Sequence, residues 1–208
     1  MFDSVRQRNR YIRQLCLEVA FFAVLLAIDL ISKAQVFAFL EGRPSHSFVV
    51  EEGIFTFYRV ENYGMSFGLL SGQKGLLLAI SSIISLGMLA LLIFTPSAPK
   101  NFRVPMWMII AGAVGNIVDR AAFGYVRDFI DYTFLKTFFN IDFAIGNIAD
   151  LFVLLGVILL LVYIVFEFDE SHFASLMRKK SPKVATEPTS DADATMQDAD
   201  ASSEDREA

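Results

Sequence analysis

The chain has one cysteine, Cys16, and two histidines, His46 and His172. A single cysteine excludes an intramolecular disulfide and a zinc site built on thiolates. Its position inside an apolar stretch predicts a buried structural thiol. The histidines are distant in sequence and outside the apolar stretches. Neither a histidine metal cluster nor a Ser/His or Cys/His nucleophile pair can be assembled, so no metal and no other cofactor is expected. Basic residues interleaved with aromatics, the footprint of nucleic-acid binding, are also missing, and no nucleic-acid partner is expected. No internal repeat of useful length is visible.

What the sequence has in quantity is apolar surface. The hydrophobic fraction is 54%, and 21 of the 208 residues are Phe. These residues cluster in four stretches, approximately 15–38, 75–95, 104–121 and 147–167. Each approaches or exceeds the roughly 20 residues that span about 30 Å of hydrocarbon. The expected fold is an all-α membrane protein of four transmembrane helices, with one bundle over residues 1–170. Eight of the 23 acidic residues lie after Lys183, in a segment rich in Ala, Ser, Thr, Asp and Glu and free of aromatics. Such a composition cannot bury enough apolar surface to fold, so residues 171–208 are expected to form a largely disordered cytoplasmic tail.

Arg6, Arg8, Arg10 and Arg13 precede the first stretch, Lys100 and Arg103 join the second to the third, and Arg178, Lys179, Lys180 and Lys183 follow the fourth. Short basic segments stay cytoplasmic, so both ends face inward and residues 39–74 and 122–146 face outward. Glu18 and Asp29 interrupt the first stretch and no small-x-small site follows it, so it reads as a retained anchor and not a cleaved signal peptide. Within the first outward segment, Ser47-Phe48-Val49-Val50 and Ile54-Phe55-Thr56-Phe57-Tyr58-Arg59-Val60 are β-branched and aromatic, with Glu51-Glu52-Gly53 as a turn. A small extracytoplasmic sheet over about 41–62, between the first two helices and resting on the membrane surface, is predicted.

Polar residues gather at one end of the apolar stretches. Gly112, Asn116 and Arg120 follow one another at intervals of four and share a helical face, as do Asn147 and Asp150 at an interval of three. Asp29, Ser32 and Lys33 stand near the end of the first stretch. Each has a purely structural reading. Asn116 can join helices, Gly112 and Gly115 can allow close packing, Asp119 and Arg120 can pair or meet headgroups, and Asp29 can pair with Lys33. Asp131 and Asp142 read as solvated loop residues. Against scatter stands their common depth at one leaflet, where an ionisable residue is a functional-site hypothesis.

Asp128 follows the third stretch and Asp150 opens the fourth, so both emerge at the same membrane surface. Two carboxylates that converge share one proton near neutral pH. One can then take a proton from water while the other polarises a carbonyl, which is what amide hydrolysis requires. The rival reading is an ion relay through Asp29, Asp128 and Asp150 in a small transporter or channel. A third is a non-catalytic scaffold.

Four blocks carry a resemblance. They are Ile28-Asp29-Leu30-Ile31-Ser32-Lys33, Asn62-Tyr63-Gly64-Met65-Ser66-Phe67, Gly112-Ala113-Val114-Gly115-Asn116-Ile117-Val118-Asp119-Arg120 with Gly124-Tyr125-Val126-Arg127-Asp128-Phe129-Ile130, and Asn147-Ile148-Ala149-Asp150. In this order, over residues 24–160, the chain resembles signal peptidase II, the bacterial lipoprotein signal peptidase. The resemblance implies an aspartyl endopeptidase of the bacterial inner membrane that cuts a diacylglyceryl-modified prolipoprotein before its lipidated cysteine. It implies that Asp128 and Asp150 are the catalytic pair and that Asp29, Asn62, Gly112, Asn116, Arg120 and Asn147 line the substrate and inhibitor pocket. Its implied partners are prolipoprotein substrates and membrane lipids, and a monomer is expected. The chain departs from the family pattern at Met65-Ser66, at Gly146 where Phe is usual, and at Leu151-Phe152. These departures bear on the pocket's shape and leave the acid pair intact.

Overall fold

Hydrocarbon offers backbone amides no partner, so apolar stretches of this length can cross it only as helices. The computed structural model describes residues 5–43, 45–64 and 73–166. Along the chain these form α1 (Val5–Glu41), β1 (Ser47–Glu51), β2 (Phe55–Asn62), α2 (Lys74–Phe94), α3 (Lys100–Ala122), β3 (Val126–Asp131), α4 (Thr133–Phe139) and α5 (Ile148–Phe166). Residues 65–67 of the second sequence block and the acidic tail lie outside the described residues.

Three helical segments, Arg8–Glu41, Lys74–Phe94 and Ile148–Phe166, are long and apolar enough to cross a membrane. Their outward side chains, among them Ile83, Leu86, Leu161 and Val165, are exposed as lipid-facing residues are. The expected third span falls in α3, which is not among these three by composition. Its position in the fold explains why. Helix α3 packs against α5, α2 and α1, and among the described helices it contributes the most buried residues, spread between Phe102 and Asp119. Charges that would be costly against lipid are paired inside the protein. Buried Arg103 donates from Nε to Glu18 Oε1 and from Nη2 to Glu18 Oε2, both at 2.7 Å, while its Nη1 donates to the carbonyls of Leu92 and Thr95. Trp107 Nε1 also donates to Glu18, at 3.0 Å. This knot ties α1, the end of α2 and the start of α3 together. Nearby, Leu92, Ala98, Phe102, Met106, Trp107, Ile110 and Tyr163 form an apolar core.

Cys16 is exposed, which corrects the expectation of a buried thiol. Helix α1 packs here through Glu18, Phe21 and Phe22. Two residues before Glu18 is about 200° around a helix, so Cys16 points away from the bundle.

The predicted hairpin is present. β1 and β2 pair antiparallel with Phe48 opposite Phe57, and Gly53 (φ 74°) supplies the left-handed turn residue. The sheet has a third strand that the sequence reading did not anticipate. β3 pairs antiparallel with β2, giving the order β1-β2-β3. The sheet is thus built on both sides of the α2–α3 hairpin, and Asp128 sits in a strand rather than in a connecting loop. Phe129 packs edge-on against Phe57 at 5.7 Å and, with Phe37 and Ile130, forms a second apolar cluster under the sheet.

Candidate active site

Local chemistry brings the two aspartates' segments together before any side chain is considered. The Phe129 and Ile130 amides both donate to the Gly146 carbonyl at 2.8 Å, and the Gly146 amide donates back to Ile130 at 3.1 Å. This bridge fastens β3 to the residue immediately before Asn147. Helix α5 then begins with a reciprocal cap. The Asp150 amide donates to Asn147 Oδ1 at 3.2 Å, and the Asn147 amide donates to Asp150 Oδ2 at 2.9 Å. This pattern satisfies two otherwise orphaned donors at a helix start. A third amide of that first turn, from Ala149, donates to Asp29 Oδ1 at 3.0 Å.

Asp128 is 2% exposed. Val60 lies opposite it in the sheet, which makes Asn62 its diagonal neighbour on the same face. Asn62 Nδ2 donates to Asp128 Oδ2 at 2.8 Å, and Asn147 Nδ2 donates to Asp128 Oδ1 at 2.6 Å. Asn147 therefore touches both candidate acids, one through its side-chain amide and the other through its cap. Asp150 is exposed. Its second oxygen, Oδ1, accepts from Asn116 Nδ2 at 2.9 Å.

Burial pushes the Asp128 carboxyl up to about 7, and the neighbouring Asp150 pushes in the same direction. The bonds from Asn62 and Asn147 and the charge of Lys33 oppose this rise. Tyr132 senses the same pair. Burial, then Asp150 and Asp128, raise its hydroxyl to about 12. A buried acid near neutrality beside a solvent-reaching carboxylate can hold a proton on one side and accept one on the other.

The remaining expected residues converge here too. Arg120 Nη2 donates to the Gly64 carbonyl at 2.9 Å, and the Gly64 amide donates to Asn62 Oδ1 at 2.9 Å. Gly112 lies against the Ala149 carbonyl and Val153, and a Cβ at Gly115 would collide with the Asp29 carboxylate. These two glycines let α3 approach α5 and α1 closely enough for Asn116 to reach Asp150. Asp131 is half-buried and accepts from Thr133, whereas Asp142 is exposed and paired with Lys136.

The Asp29–Lys33 pairing allowed by the sequence is present, but sequence reasoning missed the fully buried layer of charge it belongs to. Lys33, Asp29 and Asp119 are fully buried. Lys33 Nζ lies 2.9 Å from Asp29 Oδ2 and 3.7 Å from Asp119 Oδ2. Asp119 Oδ1 also accepts from Arg127 Nη2 at 2.7 Å, and Asp119 Oδ2 accepts from the Arg127 amide at 2.9 Å. Asp119 thus anchors the residue next to Asp128. The available signal was the spacing of Asp29 and Lys33, because a buried i,i+4 pair must find further partners.

An apolar helical bundle with two converging acids at one end has the architecture a membrane enzyme requires. Two solved structures, each described as a bacterial membrane enzyme determined by the in meso method, support that class. The one at 2.3 Å resolution aligns with a TM-score of 0.64 and 27% identity, covering 80% of this chain and 94% of its own. The one at 1.9 Å gives 0.63 and 27%, covering 73% and 94%. Residues 21–166 match the family described as Signal peptidase (SPase) II. The lipoprotein signal peptidase of Clostridium tetani is 33% identical over 144 residues, 69% of this chain and 90% of the relative. That of Microcystis aeruginosa is 37% identical over 116 residues, 56% of this chain and 71% of the relative. The chain belongs to the signal peptidase II family: it is a membrane protease of lipoprotein processing.

Proposed function

We propose that this protease is of the aspartic type and cuts diacylglyceryl-modified prolipoproteins on the N-terminal side of the lipidated cysteine. The observation that carries the reading is the single asparagine, Asn147, hydrogen-bonded to Asp128 and capped by Asp150. Asp128 carries the shared proton, because burial and its neighbour favour its neutral form. Its hydroxyl polarises the scissile carbonyl while ionised Asp150 takes a proton from the attacking water. The water oxygen adds to the carbonyl carbon and the carbonyl oxygen gains the Asp128 proton. Collapse of this diol expels the amine, which leaves with the proton held by Asp150, and the diol returns a proton to Asp128.

Asn62, Asn147 and Asn116 hold the two carboxylates, and Asp29, Gly112 and Arg120 complete the pocket. In this reading α3 is the third of four spans, both termini are cytoplasmic, and the site opens near the extracytoplasmic face of the bacterial inner membrane. Residues 1–170 form the peptidase, which works as a monomer, and residues 171–208 are dispensable. The lipid anchor holds the cysteine near the headgroups, so cleavage becomes a local reaction, which contributes several kcal/mol.

Cleavage of one prolipoprotein with and without its diacylglyceryl group tests this, with the new N-terminus read by mass spectrometry. The expected result is a cut directly before the lipidated cysteine, with the unlipidated precursor at least about tenfold slower. Equal rates, or a cut elsewhere, would overturn it.

A further inference from the structure

Lys33 lies beneath the candidate acid pair and, among the described residues, hydrogen-bonds to neither member. Its Nζ donates to Asp29 Oδ2 at 2.9 Å and to Asn116 Oδ1 at 2.8 Å. The second bond spans from α1 to α3 and ends on an amide, not a charge. That choice has a consequence for Asn116. A side-chain amide has one acceptor oxygen, and here Lys33 shares that oxygen with Asn147 Nδ2 at 3.3 Å. Turning the amide over would set its NH2 group against both donors. The NH2 group must therefore face the other way, where it meets Asp150 Oδ1 at 2.9 Å.

The charges around Lys33 come from every element packed on it. Asp29 comes from α1, Asp119 and Arg120 from α3, Arg127 and Asp128 from β3, and Asp150 from α5. Asp119 is matched by Arg127 at 2.7 Å. The positive charge of Lys33 bears on Asp29, more distantly on Asp119, and on Asp128 of the pair.

We propose that Lys33 is a positioning residue for the acid pair, locking the Asn116 amide in the orientation that holds Asp150 and setting one positive charge near Asp128. This inference rests on the assignment of Asp128 and Asp150 as the catalytic pair. Lys33 touches no substrate atom. It acts through Asn116 by geometry and on Asp128 by charge, since its charge favours the ionised form of Asp128.

The two actions separate in one experiment on the full chain with lipidated prolipoprotein. The variants are Lys33→Met, Lys33→Met with Asp29→Asn, Asn116→Ala and the combination of all three. Asp29→Asn keeps an oxygen for the Ala149 amide and removes the anion that Lys33→Met strands. Lys33→Met lowers kcat by roughly ten- to a hundredfold, as a misplacement of about 1 Å does, with KM changed by less than about threefold. It also moves the basic limb of the pH–rate profile upward, because Asp128 then holds its proton to higher pH. In the double variant the limb returns toward the parent while kcat stays low, a split that a merely structural role would not produce. Asn116→Ala leaves every ion pair in place and so keeps the fold. It lowers kcat by a similar factor, and combining it with the double variant adds less than about twofold, because interactions in one network are not additive.

Parent-like turnover in the double variant or in Asn116→Ala, or losses that multiply, would overturn the proposal. Should the Lys33 variants not fold, Asn116→Ala decides alone. Asp128→Asn runs alongside. If it retains turnover, the acid-pair assignment fails. If it is inactive while the Lys33 and Asn116 variants cleave like the parent, the role of Lys33 alone fails.

Discussion

Replacing Asp128 by asparagine should flatten the pH dependence of the protein's stability, and the size of the effect follows from burial. A free aspartyl carboxyl titrates near 3.8, and in the fold Asp128 titrates at about 7. Between those values the folded chain holds a proton that the unfolded chain has released. Stability contributed by that proton is present at low pH and is lost as pH rises through 7. The full difference is about 3 units, near 4 kcal/mol at about 1.4 kcal/mol per unit. Between pH 5 and pH 8 about 3 kcal/mol of it disappears by the same linkage relation. At about 2–4 °C per kcal/mol for a chain of this size, the parent's midpoint should fall by several degrees more than the variant's.

The variant carries a fixed penalty, because Asp128 accepts from both Asn62 and Asn147 and asparagine offers only one accepting oxygen. That penalty is the same at every pH and cancels in the comparison. Thermal unfolding in detergent at pH 5, 6, 7 and 8 measures the difference. Parallel pH dependences for parent and Asp128→Asn would refute the argument that burial holds a proton at this site.

Other consequences follow from particular contacts. Gly112→Ala drives a methyl group into the Ala149 carbonyl. It should cost about 1–3 kcal/mol by overpacking and lower kcat by displacing Asn147 and Asp150, read by paired melting and cleavage assays. Arg103→Met leaves Glu18 without its bidentate partner, which should cost about 3–5 kcal/mol. That pair sits among the residues joining α1 to the α2–α3 connection, away from the acid pair, so turnover per folded molecule should stay within about twofold, since distant sites act independently. Deleting residues 184–208 should leave the cleavage rate largely unchanged in matched detergent, and a large fall would assign the tail a role.

The sequence was most legible where a single physical demand dominated. Helices α2 and α5 follow from run length alone, and the β1–β2 hairpin follows from alternation and the glycine at its turn. β3 was not legible as a strand. Val126, Asp128, Phe129 and Ile130 are all buried, so the run lacks the in-out alternation that marks a half-exposed strand. Nor did α4 announce itself, because seven residues with no buried side chain carry no periodic signal. The candidate site was legible as residue types at one depth. Its wiring was not, because the bonds joining Lys33 to Asn116 and Asn147 to Asp128 link positions 83 and 19 residues apart. The Asn147–Asp150 spacing had two meanings at once, a shared helical face and a helix cap, and the cap is what aims Asp150.

The most direct test of the account is single-turnover cleavage of a lipidated prolipoprotein by the parent, by Asp128→Asn and by Asp150→Asn, each first shown to be folded by its melting profile. Cleavage by the parent and none by either folded variant is the predicted result. Turnover retained by either would remove that carboxylate from the chemistry and contradict a proton shared between the two.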